Sequence, residues 1–244
     1  MSKNSAYSKG YRKTQAKKPF LTKNEIIALI VIAVVVIIGV IVINSLPNVG
    51  TIPASKIKSG DIISRANVST KGRYIKLGTI NEMEGITLEA STSSENPTGG
   101  YDFKPVEEGA LKNVRVGGAI YNASTMMDTL LPSVQTMGAD DYSEEAIATT
   151  IDGREAYVCT ARYSSYDETK DGAVAADETA EAAEGAEQEP NSFNQYIFSY
   201  ITVGDYSISL SATIEGDDTS VYIPDDQVAD YIAQYAGAFT VNEK

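Results

Sequence analysis

The chain has 244 residues, with 20 Lys and Arg against 33 Asp and Glu, no His, no Trp and a single Cys. Those counts exclude a His-based catalytic triad, a His-ligated metal, a Cys/His zinc centre and an intramolecular disulfide. The net charge of -13 argues against a nucleic-acid partner, whose footprint is a basic face.

The charge is unevenly placed. Residues 1–25 hold seven basic side chains (Lys3, Lys9, Arg12, Lys13, Lys17, Lys18, Lys23) and one acid, whereas the rest of the chain holds 13 basic and 32 acidic residues. Between the two, Ile26 to Ile43 carries no charged or polar side chain. Counted on to Leu46, the run gives about 31 Å of helix, enough to cross a hydrocarbon core of about 30 Å. It is apolar all round rather than along one stripe, as a membrane span is and a surface helix is not. The run exceeds a secretory h-region and lacks a small-residue cleavage site after it, so an uncleaved anchor is expected. The basic tail is expected to stay in the cytoplasm, near anionic headgroups, with the residues after the span outside.

Residues 47–70 are read as a linker leading into the outer domain, because Pro47 and Pro53 prevent the helix from continuing. Residues 71–244 then make one α+β domain. Arg73 to Ile80, Ile86 to Ala90 and Asn113 to Tyr121 read as strands. A helix begins near Ser124 with Met126, Met127, Leu130 and Leu131, and Pro132 is expected to kink or divide it. Ala156 to Tyr163 is a strand leading into residues 167–192, which carry nine acids, one Lys and seven Ala. That stretch cannot bury enough apolar surface to offset its ordering entropy, and is expected to be a disordered acidic insertion. Phe193 to Val203 and Tyr206 to Ile214 come next with period-2 alternation, and Gly204-Asp205 between them predicts a type II′ hairpin. Near the end, Asp225 or Asp226 is expected to cap a helix whose stripe is Val228, Tyr231, Ile232 and Tyr235, with Gly237 closing it. Phe239-Thr240-Val241 reads as a last strand.

The turn Asp152-Gly153 with Ala156-Tyr157 after it, the Tyr-rich hairpin, and Ala238-Phe239-Thr240-Val241 behind a helix together resemble the second half of a PsbP-like domain. That is the α/β/α sandwich of photosystem accessory proteins and many bacterial surface lipoproteins. The resemblance covers about half the chain, and the sequence departs from it in lacking an early Trp. It implies an antiparallel sheet with packed helices and a binding or accessory role rather than an enzyme. It transfers no site residues.

Local patterns add little chemistry. Ser55-Lys56-Ile57-Lys58 fits S-x-x-K without the companion elements that serine-lysine enzymes need. Leu46-Pro47-Asn48-Val49-Gly50 has Val where a sorting signal has Thr. Glu25 before the apolar run resembles a type IV prepilin, but Pro19 stands where the cleaved Gly belongs. Asp140-Asp141, Asp217-Asp218 and Asp225-Asp226 are of the type that ligate calcium, yet none has the spacing of a calcium loop. Cys159, on the face of Tyr157, Ala161 and Tyr163, is expected to be a buried small hydrophobe.

Tyr196, Phe198 and Tyr200 alternate along one strand and so share a face. They are either sheet packing or a ligand platform. No catalytic, cofactor or metal residues are assigned. The reading is therefore a single-pass protein of a bacterial cell membrane, with its N-terminus cytoplasmic, carrying an extracytoplasmic binding domain. Residues 26–46 contact the bilayer, and the domain meets an envelope protein or a wall component. The rival readings are a carboxylate-based wall enzyme and a pilin-like assembly subunit. The bacterial setting rests on one Cys, and so no disulfide, in a chain placed outside the cytoplasm.

Overall fold

The computed structural model describes residues 50–66, 72–91, 98–167 and 189–242. The chain divides into two compact units, Met1–Leu46 and Pro47–Lys244, and every described residue belongs to the second. The basic tail, the expected span over 26–46 and most of the acidic insertion lie outside the described residues. Among the described residues no helix is long and apolar enough to cross a membrane.

The second unit is α+β and rich in sheet. Its strands are β1 (Ile52–Pro53), β2 (Asp61–Arg65), β3 (Arg73–Ile80), β4 (Ile86–Ala90), β5 (Tyr101–Pro105) and β6 (Leu111–Ala119). After helix α1 (Ala123–Thr136) come β7 (Asp141–Tyr142), β8 (Ile147–Ile151), β9 (Arg154–Ser165), β10 (Ser192–Val203) and β11 (Tyr206–Gly216). Helix α2 (Val228–Ala233) and β12 (Phe239–Val241) complete it. The expected single antiparallel sheet is in fact two. The larger runs β4-β5-β6-β11-β10-β9, with β7 and β8 end to end on the outer edge of β9. In the smaller, β3 has β2 on one edge and β1 and β12 in succession on the other. All pairs are antiparallel.

Two turns set the register of the larger sheet. Val203 faces Tyr206 across Gly204-Asp205, and Gly204 has φ 61°, as the first position of a type II′ turn requires. Asp152 and Gly153, at φ 49° and 70°, join β8 to β9. Positive φ at both places is the type I′ signature, and Asp-Gly is a pair that tolerates it.

The main core lies between one face of the larger sheet and the smaller sheet with α2. Phe103, Val114, Ile197, Ile201, Ile208 and Leu210 meet Ile62, Leu77, Val228 and Ile232 there, each at 2% exposure or less. The opposite face of the larger sheet receives α1, which packs on β9, β10 and β11. On that side Ser207 Oγ donates to Tyr121 O at 2.8 Å. Cover on both faces explains why Val158, Cys159, Thr160 and Ala161 are buried in an unbroken row.

Several expectations change. Residues 52–65, within the stretch read as linker, supply β1 and β2. Asp61 to Ser64 are all buried, so no alternation marks them as a strand. Helix α1 runs unbroken through Pro132. Asn122 caps it, its side chain accepting from Thr125 N at 3.0 Å. Pro132 is exposed, so the carbonyl whose partner it removes is open to water. Neither Asp225 nor Asp226 caps α2: Gln227 precedes it without a side-chain bond. Gly237 does not close that helix either, because the chain tightens into a 3-10 turn over Gln234–Ala238.

Candidate functional site

The larger sheet's outer face is built by register. Tyr196, Phe198 and Tyr200 alternate with the buried Gln195, Ile197, Ser199 and Ile201, so all three project to the α1 side. Across from them on β11 stand Thr213, Ser211 and Ser209. Asn113, Arg115 and Gly117 of β6 come next, and Asp102 of β5 lies opposite Arg115. The face therefore carries an aromatic row, a hydroxyl row and a charged row on three adjoining pairs of strands.

The three sequence-predicted residues are together, but differently placed. Tyr196 is 36% exposed, and its ring lies within 13° of Phe198 at a centroid distance of 6.3 Å. Tyr163, from β9, meets Tyr196 edge-on at 5.5 Å and 82°, and extends the row across a strand boundary that no local sequence pattern bridges. Its phenol is raised from the ordinary value by burial and then by the neighbouring Tyr196. Tyr200 is more enclosed; burial, then Cys159, pushes its phenol upward. Tyr157, at the same end of the face, donates to Glu155 at 3.1 Å. Its phenol is raised by that bond first, with Asp128 of α1 a lesser cause. Helix α1 therefore lies nearer the Tyr157–Tyr200 end, while at the other end Tyr196 is exposed and Tyr163 and Phe198 are half-buried.

The charges beyond the hydroxyl row are matched to one another. Arg115 Nε lies 3.6 Å from Asp102 Oδ1, and its Nη2 donates to Gly99 O at 2.6 Å. Ser91 Oγ donates to the other Asp102 oxygen. Lys104 and Glu89 pair at 2.6 Å, which lowers the Glu89 pKa and raises that of Lys104, chiefly through their hydrogen bond.

A second concavity, of about 400 Å³, lies where β9 and β10 approach the acidic insertion, between Asp140, Arg162, Phe193 and Tyr222. Arg162 is its hub. The guanidinium reaches Asp141 and Asp225 at 2.5 Å each and Ile223 O at 2.8 Å, beneath the Tyr222 ring at 5.6 Å. Burial acts to lower its pKa, but the hydrogen bonds to Asp225 and Asp141 outweigh that and hold it above the ordinary value. Gln195, fully buried, ties the same loop down: Nε2 donates to Thr160 Oγ1 at 2.9 Å, and Oε1 accepts from Ile223 N at 2.7 Å. The acidic pairs weighed for calcium are thus engaged in other ways. Asp140 accepts from Ser164 Oγ at 2.7 Å, and Asp218 accepts from Ser220 N at 2.8 Å. Among the described residues no three carboxylates or thiols converge as a metal set. The concavity is a structural latch whose charges are already paired.

The sequence matches no family model and no curated protein. Among solved structures it is similar to LpqN, involved in cell envelope biogenesis of Mycobacterium tuberculosis. The superposition has a TM-score of 0.38 at 12% identity, and covers 79% of this chain and 91% of that one. A likeness of that size assigns neither a family nor an activity.

Proposed function

We propose that the chain is a single-pass membrane protein of the bacterial envelope, whose 47–244 unit lies outside the cytoplasm and binds a partner there. In this reading the unit is a PsbP-like sandwich, with helices on the two sides of an antiparallel sheet, and has no catalytic role. The observation that carries the binding role is the half of the larger sheet's outer face left open beside α1, where Tyr163, Tyr196 and Phe198 form a row. Tyr196, 36% exposed between the half-buried Tyr163 and Phe198, leaves aromatic surface on this strand that supports a contact role. The uncharged run from Ile26 to Ile43 behind a basic tail supports the anchoring part.

Photo-crosslinking in intact cells tests the binding role. A crosslinking residue at Ser211, which faces Phe198, is expected to capture an envelope component reproducibly. The same residue at Val106, 65% exposed and past the end of β5 on the far side of the sheet from the ring row, is expected to capture nothing in common with it. Equal background from both positions would remove the binding role from this face.

A further inference from the structure

Strand β4 ends the larger sheet on one side, and among the described residues no strand pairs with its outer edge. The ladder with β5 fixes which backbone groups face outward. Val106 N donates to Gly85 O at 2.9 Å and Ser91 N to Gly100 O at 3.1 Å, one residue beyond either end of β4. Bonds to β5 therefore fall at the odd-numbered positions, and Ile86, Leu88 and Ala90 turn their N–H and C=O groups away from it. Pro105, which has no N–H, stands opposite Ile86, where this ladder asks for none. Ile86 N–H is engaged locally, by Met83 O at 3.3 Å. The side chains are as open as the backbone. Every residue of β4 after Ile86 is exposed, and Leu88, at 43%, lies on the core side opposite the buried Phe103. Apart from its shortness, β4 lacks the devices that blunt an edge: it holds no Pro, no Lys and no bulge.

We propose that β4 pairs antiparallel with β4 of a second copy, about a twofold axis at Leu88. Any extended chain can add to an open edge, so the register and the side chains have to select the copy. Centred on Leu88, each Leu88 exchanges both backbone bonds with the other, and each Ala90 N–H reaches the second copy's Ile86 O. The Ile86 N–H held by Met83 is not called on. On the core side Leu88 meets Leu88, which joins the two Phe103 side chains in one apolar row. On the outer side each Glu89 faces the second copy's Thr87, with that copy's Lys104 next along the row. An axis at Glu89 would oppose two carboxylates, and an axis at Thr87 would need the Ile86 N–H. Lys104 already neutralises Glu89 at 2.6 Å, so the edge does not call for a basic strand from another protein. An edge of five residues covers less than the about 800 Å² per partner of a stable dimer. The association is therefore weak and depends on concentration.

Sedimentation equilibrium of the full-length protein in detergent is expected to show a reversible monomer–dimer equilibrium. Copies of net charge -13 repel, so added salt should strengthen it. Leu88→Lys and Leu88→Glu should each weaken it about tenfold, through the lost leucine contact and the opposed like charges. A mixture of the two variants should regain the dimer, and thermal melts control for folding. Under oxidation Leu88→Cys should give a covalent dimer, because Cα atoms of a hydrogen-bonded pair lie about 5.5 Å apart, within the span of a disulfide. Thr87→Cys lies about 8 Å from its counterpart on the diagonal, beyond that span, and should give little. Cys159 is buried and does not compete. Monomer at every concentration, a dimer that salt dissociates, one that Leu88→Lys leaves unchanged, a mixture that stays monomeric, or equal crosslinking at both positions overturns the pairing.

Discussion

Cys159 faces Phe198 across β9 and β10, and none of it reaches solvent. Burial alone pushes its thiol from an ordinary 9.0 up to about 12, because a thiolate there would be charged and unsolvated. A pKa raised on folding has one sign of consequence. Between those values the native chain keeps a proton that the unfolded chain has released. The thiol's contribution to stability is therefore whole below about pH 9, and is lost as pH rises through 12. The slope is about 1.4 kcal/mol per pH unit within that window. Urea unfolding at pH 8 and pH 10 is expected to show the native protein losing about 1 kcal/mol more than Cys159→Ala over the interval. Equal losses would mean that the thiol ionises normally in the fold. The expectation from sequence, a small hydrophobe within a strand, needed only local pattern. Arg162 needed more. Its partners Asp141 and Asp225 lie 21 and 63 positions away, so three charges that looked like separate surface features form one latch only once the chain is folded.

The two sheets meet where β6 passes β2, and Gly118 shows how closely. A Cβ at this position would fall 2.2 Å from Ile63 O and 2.6 Å from Ile63 C. Backbone cannot yield as a side-chain tip can, so Gly118→Ala would push β2 and its sheet off the larger one. Overpacking of this kind costs about 1–3 kcal/mol. Gly117, its neighbour on the outer face, is the control: its nearest obstacle is Ser209 Oγ at 3.1 Å, the end of a side chain that can rotate away. Denaturant midpoints are expected to fall clearly for Gly118→Ala and little for Gly117→Ala. Comparable losses at both would place the effect in strand propensity rather than in contact between sheets. The same contact explains which elements the sequence shows. The β10–β11 hairpin alternates because one face is core and the other is partly open, so both its strands and its turn are legible. So are β3 and β4, at the bounds observed. Strand β2 is hidden between its own sheet and β6, and an unbroken buried row such as Asp61-Ile62-Ile63-Ser64 has no period to detect. At α2 the misreading has another cause. Asp225 has the chemistry of a cap, but a guanidinium outcompetes the helix end for it.

At the scale of the whole molecule the chain joins two units of opposite character. Residues 1–46 combine a net positive tail with an uncharged apolar run. The 47–244 unit has its own buried core, which holds Phe103, Val114, Ile197, Leu210 and Ile232 without exposure. A unit with such a core has what it needs to fold by itself, and under the proposed reading the apolar run enters a bilayer without it. Removal of residues 1–46 should therefore change location and leave stability nearly untouched. The full chain is expected in the membrane pellet after an alkaline carbonate wash, and the 47–244 piece in the supernatant with the same melting temperature. If the proposed topology is right, protease added to intact cells should reach the 47–244 unit and spare a tag at the N-terminus, because seven Lys and Arg before an apolar run favour a cytoplasmic end. A spared C-terminal unit would invert the topology and bring the aromatic face of the sheet inside the cell, out of reach of an envelope partner. Carbonate-soluble full-length protein would remove the anchor altogether. The proposed binding role would then need a secreted chain rather than a tethered one. The fractionation therefore decides whether the sheet's open face acts at the membrane surface, within reach of a bilayer-held partner, or free of it.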